Sequence, residues 1–497
     1  MTYDLLVVGG GIQGAAVARD AALRGLSALL LERGDLASGT SSRSSKLIHG
    51  GIRYLETGQF RLVRESLRER ARLLDLAPEF VEPLPFLIPH YRGEGRSPFV
   101  VGLGLGLYAA LAGRHPLSAH RKLSAPEALA LEPSLNPQRL LGASSYWDAR
   151  MEDAPLCVAV ALAAERAGAV VRTHTALVGL DRDGTQWRAR YRDAISGEEG
   201  EASSRCVVNA AGPWAEAVRA LAGFAERVRM RRTRGTHVVV PAALAEHALL
   251  LTSRRDGRAV FAIPWGKFTL IGTTDVDDNA PPDAIRPTSQ EIRYLLGEAH
   301  GALPGVDAAT RPLRVFVGVR SLVSGNAIRP WSNTREDHTL EEGTLLTLIG
   351  GKYTTHRSLA ERVVDRAARL LGARATVCRT QSEPLATGRA DGIAALGAAH
   401  PGRVRVGEGW EMSEAQVVHA IRAERARRLE DVLLRRTRLW LDARALRAAA
   451  GPVAAWMAPH LGWSEERRGQ EVAALAAALD EEEGIIDSAM EKRRNAE

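Results

Sequence analysis

Cysteine is scarce: Cys157, Cys206 and Cys378 are the only three in 497 residues, far apart and without CxxC spacing. Neither a disulfide framework nor a zinc site is expected from them, no metal is expected, and a reducing compartment fits. Aromatic residues make up only 5%, so the stacking platforms that single-stranded nucleic acids need are sparse. No nucleic-acid-binding motif is present either, and the net charge of +7 and pI near 9.6 call for another partner, such as a phosphorylated substrate or an anionic membrane surface. No apolar run reaches the roughly 20 residues of a spanning helix. The most apolar stretch, FVVGLGLGLYAALAG from Phe99 to Gly113 between Arg96 and Arg114, reads as a buried core segment, with a monotopic segment dipping into one leaflet as the competing reading. Repeats and low-complexity tracts are absent. The first strand begins where a signal peptide would need a basic region and a cleavage site, so a cytoplasmic location is expected.

What is present begins at once. MTYDLLVVGGGIQGAAVARDAALRGLSALLLE (Met1 to Glu32) is an apolar strand, a Gly9-x-Gly11-x-x-Gly14 turn, an Ala-rich helix and a second strand closing on an acid. Gly9 permits the tight turn, Gly11 lets backbone approach a pyrophosphate, and Gly14 lets the helix pack on the sheet. The helix N-terminus stabilises phosphate charge, and Glu32 is placed to accept from a ribose hydroxyl. Dinucleotide binding follows. The next segment, ASGTSSRSSKLIHGGIRYLE from Ala37 to Glu56, is a long polar loop. NAD enzymes seldom need one, whereas a flavin requires chain along both its pyrophosphate and its ring.

The GGGIQG start, the SSRSSKLIHGGIRYLE block, VVNAAGPW (Val207 to Trp214), IGTTD (Ile271 to Asp275) and GGKYTT (Gly350 to Thr355) occur in that order. Together they closely resemble the bacterial aerobic, FAD-dependent glycerol-3-phosphate dehydrogenases, within the glycine oxidase and D-amino-acid oxidase superfamily. The resemblance runs essentially end to end. No EF-hand loop is present, unlike the mitochondrial relatives.

The resemblance and the motif distribution imply an α/β fold. A discontinuous Rossmann-like FAD-binding domain would be built from about 1–90, 145–230 and 310–375. An antiparallel-sheet substrate domain would lie between these parts within 1–375, and a C-terminal helical domain would span 376–497. Helical periodicity runs from Phe60 to Leu76 with Leu62, Leu67, Leu73 and Leu74 as buried candidates, and Thr236 to Val240 and Ala259 to Ile263 read as strands roofing the flavin. Seven arginines (Arg422, Arg425, Arg427, Arg428, Arg435, Arg436 and Arg438) crowd one C-terminal stretch. A solvated helix face partly paired with Glu424 and Glu430 is favoured slightly over a membrane-facing role.

Oxidising a secondary alcohol requires loss of the hydroxyl proton and hydride delivery to an acceptor. A phosphate on the substrate would need a second cationic pocket, for which arginine's planar fork is suited. By resemblance, Arg53, Tyr54, Arg335 and Lys352 would bind glycerol phosphate, Thr274 and Asp275 would line the pocket, and Arg320, ending VFVGVR, would sit near the reacting hydroxyl. The family commonly has proline after that arginine; here it is Ser321, which leaves the aim of Arg320 less constrained. His237 and His49 are candidate proton acceptors, with a structural hydrogen bond as the alternative for either. The flavin contacts implied are Gly9, Gly10, Gly11, Ile12, Gln13 and Gly14 of the turn, then Glu32 and Arg33. Thr40, Ser41, Ser42, Ser45, Lys46, Leu47, His49 and Gly50 would follow in the polar loop. Ala210, Gly212 and Trp214 come from the middle of the chain, and Gly351, Lys352 and Thr354 from the late turn.

The implied activity is oxidation of sn-glycerol 3-phosphate to dihydroxyacetone phosphate through noncovalent FAD. Electrons would pass to a membrane quinone from a homodimer held peripherally on the inner face of the membrane, without nucleic acid. Two rivals share the fold: an amine oxidase of the sarcosine or glycine type, which would need fewer cations, and a glycerol-phosphate oxidase using oxygen. A rival of a different class is a non-enzymatic FAD-binding partner protein, or a flavoprotein acting on RNA.

Overall fold

The computed structural model describes residues 2–113, 117, 119–224, 230–241, 244–307, 309–323, 337–385, 387–407 and 409–494, the side chains of 323 and 492–494 excepted. β1 (Thr2–Val8) and β2 (Ala28–Leu31) are apolar, mostly buried and joined by α1 (Ile12–Leu23). They form the centre of a sheet in which Val170–Arg172, β2, β1, Glu199–Asn209 and Leu345–Ile349 run parallel. Strand His338–Glu342 adds antiparallel at one edge. The chain therefore returns to the nucleotide sheet at the two places where VVNAAG and LLTLIGG predict it. Ala15, Ala18 and Ala21 are fully buried because α1 is wedged between the sheet and the helices Asp153–Arg166 and His356–Leu371. Larger side chains would hold those elements apart.

A second, ten-stranded sheet lies over the first module and is largely antiparallel. At its heart Met230–Val240 pairs with Phe268–Gly272 on one side and with Arg314–Val323 on the other. Helix Phe60–Leu76 buries Leu62, Leu67 and Leu73 as its periodicity predicts, with Leu74 half-buried, and it also buries Arg70. Beyond Cys378 the chain is helical apart from a hairpin of Arg403–Arg405 and Glu411–Ser413, and it packs its own core around Val417, Leu433, Leu446 and Met457.

Two sequence expectations are corrected. Phe99 to Gly113 is not a buried core segment. It forms helix Pro98–Ala112, which buries Leu105 and Tyr108 and leaves Phe99 80% and Leu103 69% exposed. Its glycines do not prevent the helix, since Ser97 caps it and Pro98 occupies the first turn. The C-terminal arginines are a solvated face only in part: Arg425 and Arg438 keep about half of their side chains exposed, and Glu430 pairs with Arg435. Arg435 and Arg436 are buried on Asp35, Arg427 pairs with Asp193 at 2.6 Å, Arg425 with Glu165, and Arg438 with Glu152. They clamp the helical region onto the nucleotide-binding module.

Candidate active site

One continuous cavity of about 1500 Å³ runs from the Gly9 turn to the roofing sheet. At its first end Gly9 adopts φ +110°, and a Cβ there would lie 2.6 Å from the Ala210 carbonyl oxygen. A Cβ on Gly14 would fall 1.9 Å from the Gly9 oxygen, so α1 reaches the turn only because position 14 is glycine. Ser41 Oγ accepts from Ile12 N at 3.0 Å. The Glu32 carboxylate accepts from Gly10 N at 2.6 Å and Gly34 N at 2.8 Å, while burial raises its pKa against these two donors. An acid and a helix start whose N-cap, Gly11, carries no side chain lie on one wall and fit a ribose and a pyrophosphate.

The polar loop then crosses under the roof. Thr40 Oγ1 donates to the Val319 carbonyl at 2.6 Å, and the missing side chain of Gly318 admits the Arg43 carbonyl, which a Cβ would approach to 2.3 Å. Ser45 Oγ and His237 Nε2 share a hydrogen bond of 2.9 Å. His237 stacks on Phe316 at 5.0 Å. Burial first, and then the nearby Arg320 and Lys46 charges, push its pKa down to about 3, so the imidazole is neutral.

Arg320 donates to Asp275 Oδ1 at 3.1 Å, Thr273 Oγ1 at 3.0 Å and the Thr274 carbonyl at 3.3 Å. Its guanidinium lies flat over Gly235, where a Cβ would come within 2.3 Å of Nη2. Across the cavity Lys352 Nζ sits 3.9 Å from the Tyr54 ring centre and donates to Ser66 Oγ at 3.2 Å.

The structure thus gathers most of the sequence-predicted residues on one wall system. His49, Arg53, Tyr54, His237, Asp275, Arg320 and Lys352 line the same cavity as Gly9, Gly11, Ile12, Gln13, Glu32 and Arg33. Thr40, Ser41, Ser42, Ser45, Leu47, Ala210, Gly212, Trp214, Gly351 and Thr354 line it too. Gly10, Gly14 and Gly50 lie behind this wall. Lys46 is a correction: its ammonium is buried on Asp153 at 2.5 Å and does not line the cavity. Thr274 is another, since its hydroxyl donates to Glu291 at 2.7 Å and its neighbour Thr273 faces the cavity instead. Arg320 does not end a strand. It lies within Arg314–Val323 opposite Thr233, and Ser321 next to it pairs with Arg232 in the same ladder. The sheet, not a stiff turn, aims Arg320. Arg335 lies outside the described residues.

Three residues went unforeseen. Asp148 is fully buried beneath Gly50 and accepts from Arg70 Nη1 at 2.6 Å, Tyr108 OH at 2.8 Å and Gly50 N at 3.3 Å. Burial raises the Asp148 pKa, and Arg70 opposes the shift. This network holds the HGGIRY loop from below. The available signal was Arg70 itself, three residues from both Leu67 and Leu73 on the buried stripe of its helix.

Residues 4–357 match the family described as FAD dependent oxidoreductase, and residues 346–468 match the C-terminal domain of alpha-glycerophosphate oxidase. The protein is therefore an FAD-binding oxidoreductase. It is 36% identical to the glycerol-3-phosphate dehydrogenase of Mycobacterium leprae, covering 97% of this chain and 88% of that one. The Synechocystis enzyme of the same name is 35% identical, with 94% of each chain covered. The crystal structure of glycerol-3-phosphate dehydrogenase from Bacillus halodurans with FAD superposes with a TM-score of 0.75 at 25% identity, covering 96% of this chain and 94% of that one. The chain belongs to the FAD-dependent glycerol-3-phosphate dehydrogenase family.

Gly9→Val is expected to yield protein without flavin, since its side chain would drive into the Ala210 backbone at a φ that β-branched residues avoid. The visible absorbance of purified protein reads the result. A yellow, stoichiometrically loaded variant would show that this turn does not hold the pyrophosphate.

Proposed function

We propose that the protein oxidises sn-glycerol 3-phosphate to dihydroxyacetone phosphate and passes the electrons to a membrane quinone. The observation that carries this reading is the convergence of Arg53, Lys352 and Arg320 on one cavity with a neutral histidine. When bound, FAD supplies a two-electron acceptor for the hydride. The residues of the chain do the rest. Arg53 and Lys352 hold the phosphate, with the Tyr54 face under the lysine ammonium fixing its position. Arg320 stabilises the negative charge that grows on the C2 oxygen, and Asp275 and Thr273 hold its guanidinium in place. His237 takes the hydroxyl proton at Nε2, through or in place of the Ser45 contact, as the C2 hydrogen leaves. His49, whose ring meets Phe261 edge-on at 6.1 Å, packs beside the substrate. The amine-oxidase rival would need only a carboxylate anchor, and leaves the other cations without a task.

Anaerobic mixing with glycerol 3-phosphate is expected to bleach the flavin, and glycerol or glycine at equal concentration is not. Bleaching by glycine alone would overturn the assignment. Reoxidation of the bleached protein by a soluble quinone but slowly by air would separate the dehydrogenase from the oxidase. Sedimentation of the same sample should give a homodimer.

Docking on the membrane belongs to the same proposal. No helix among the described residues is long and apolar enough to cross a membrane. Helix Pro98–Ala112, with Phe99, Val100, Leu103 and Leu107 outward, is the surface that would enter one leaflet. Because most of the C-terminal arginines are occupied internally, detergent and not high salt is expected to release the enzyme from vesicles. Leu103→Asp should weaken vesicle binding about thirtyfold, from the roughly 2 kcal/mol lost with one leucine. Undiminished vesicle binding by this variant in a flotation assay would rule the helix out.

A further inference from the structure

We propose a divalent transition-metal site in the C-terminal region, formed by His400, Glu414 and His460, away from the flavin cavity. Cysteine spacing leads to no metal expectation, but histidine and carboxylate ligands do not depend on it. The ligand atoms of the three residues lie within 4.8 Å of one another, and all three side chains are half-buried. None lines the large cavity.

The spacing of the three groups suits a shared ion. His400 Nδ1 and Glu414 Oε1 are 3.3 Å apart. That separation matches the edge of roughly 3.3 Å of a tetrahedron with metal bonds of about 2.0–2.1 Å. The carboxylate is already oriented. Gly402 N donates to its other oxygen, Oε2, at 3.2 Å, and the absence of a side chain at Gly402 is what lets Oε2 sit there, since a Cβ would lie 2.8 Å away. Glu414 N in turn donates to Gly402 O at 2.8 Å. A backbone donor on the far oxygen is the kind of outer contact that holds a carboxylate ligand in place. The His460 ring meets His400 edge-on, with centres 5.3 Å apart, so a side-chain rotation that closes the gap between the ligand atoms would complete a three-ligand set, to which a water would add the fourth ligand.

Two imidazoles and one carboxylate suit zinc, cobalt or nickel, and not the all-oxygen preference of calcium or magnesium. Arg422 is close enough to act on His460 and opposes a dication, so the affinity falls below that of a closed four-ligand zinc site. Bound there, the ion would tie the loop after helix Arg389–Leu396, the first turn of helix Glu414–Arg422 and the last turn of helix Ala443–Leu461. It would stabilise the folded chain by mass action. The buried cluster of Asp35, His174 and Asp431 is different, because Arg435 and Arg436 already neutralise its carboxylates.

The test uses untagged, flavin-loaded full-length protein stripped with chelating resin. Titration with zinc chloride should show one ion per chain, with a rise in thermal midpoint, and cobalt(II) should give the visible absorption of a four-coordinate site. His460→Asn and His400→Asn should each weaken binding at least about tenfold and abolish the thermal shift, with flavin content unchanged. Absence of stoichiometric zinc binding, or binding unaltered in both variants, would overturn the site.

Discussion

Replacing Arg320 with alanine is expected to lower kcat by about 10²–10³-fold while KM for glycerol 3-phosphate changes little. That magnitude is typical of removing one donor aimed at developing oxyanion charge. The argument rests on placement. Three hydrogen bonds to Thr273, Thr274 and Asp275 hold the guanidinium at one orientation above Gly235. A group so rigidly held gains most when charge appears in front of it, and little when a neutral hydroxyl is there. Arg53→Ala should do the opposite, raising KM and removing the preference for glycerol 3-phosphate over glycerol, because a phosphate carries the same charge throughout the reaction. Steady-state kinetics on both variants decides the matter, and the reverse pattern would exchange the two roles. Asp275→Asn should fall between them, since it loosens Arg320 without removing it.

The second large effect concerns stability. Asp35→Ala is expected to cost about 3–5 kcal/mol, the range for breaking a buried ion pair by removing one partner. Asp35 lies fully buried and accepts from Arg435 Nε at 2.5 Å and from Arg436 Nη1 and Nη2, the latter at 2.8 Å. Burial alone would lower the pKa of both arginines, and Asp35, with Asp431 beside it, holds them above their ordinary value; a guanidinium does not deprotonate in a protein, so removing Asp35 leaves two buried charges short of a partner. Arg435 would then keep Asp431 and Glu430, whereas Arg436 would keep only the Asp431 and Glu424 carbonyls and lose its carboxylate contacts. Asp35 also lines the flavin cavity. Release of flavin should therefore accompany unfolding at a temperature lower by roughly 3–5 °C, given the large unfolding entropy of a chain this long. A midpoint within about 1 °C of the parent would mean that the clamp contributes nothing net, as some buried pairs do.

Much of this protein was legible from its sequence, and the readable part has a common physical basis. The β-α-β unit, the late return at LLTLIGG and the buried leucines of helix Phe60–Leu76 follow from local periodicity and from glycines whose positions leave few backbone choices. The cavity-lining residues of the Gly9 turn, the polar loop and the GGKYTT turn were legible for the same reason: each motif is continuous in the chain, so its backbone carries its own site.

What the sequence could not decide involves partners distant along the chain. The arginine-rich stretch from Arg422 to Arg438 has the composition of a solvated face, and only the fold brings Asp35, Glu152, Glu165 and Asp193 against it. Charge in a sequence does not state where its counter-charge lies. Phe99 to Gly113 has the composition of a core, and only the packing of Leu105 and Tyr108 on one side shows that the other side is left bare. Lys46 and Thr274 sit among flavin-motif residues, yet Asp153 and Glu291 draw them away from the cavity. Arg320 is aimed by a ladder partner more than eighty residues earlier, with Gly235 vacating the space beneath it. Local sequence sets which backbone shapes are open to a segment; long-range pairing, which the desolvation of each buried charge makes obligatory, chooses what every side chain finally faces.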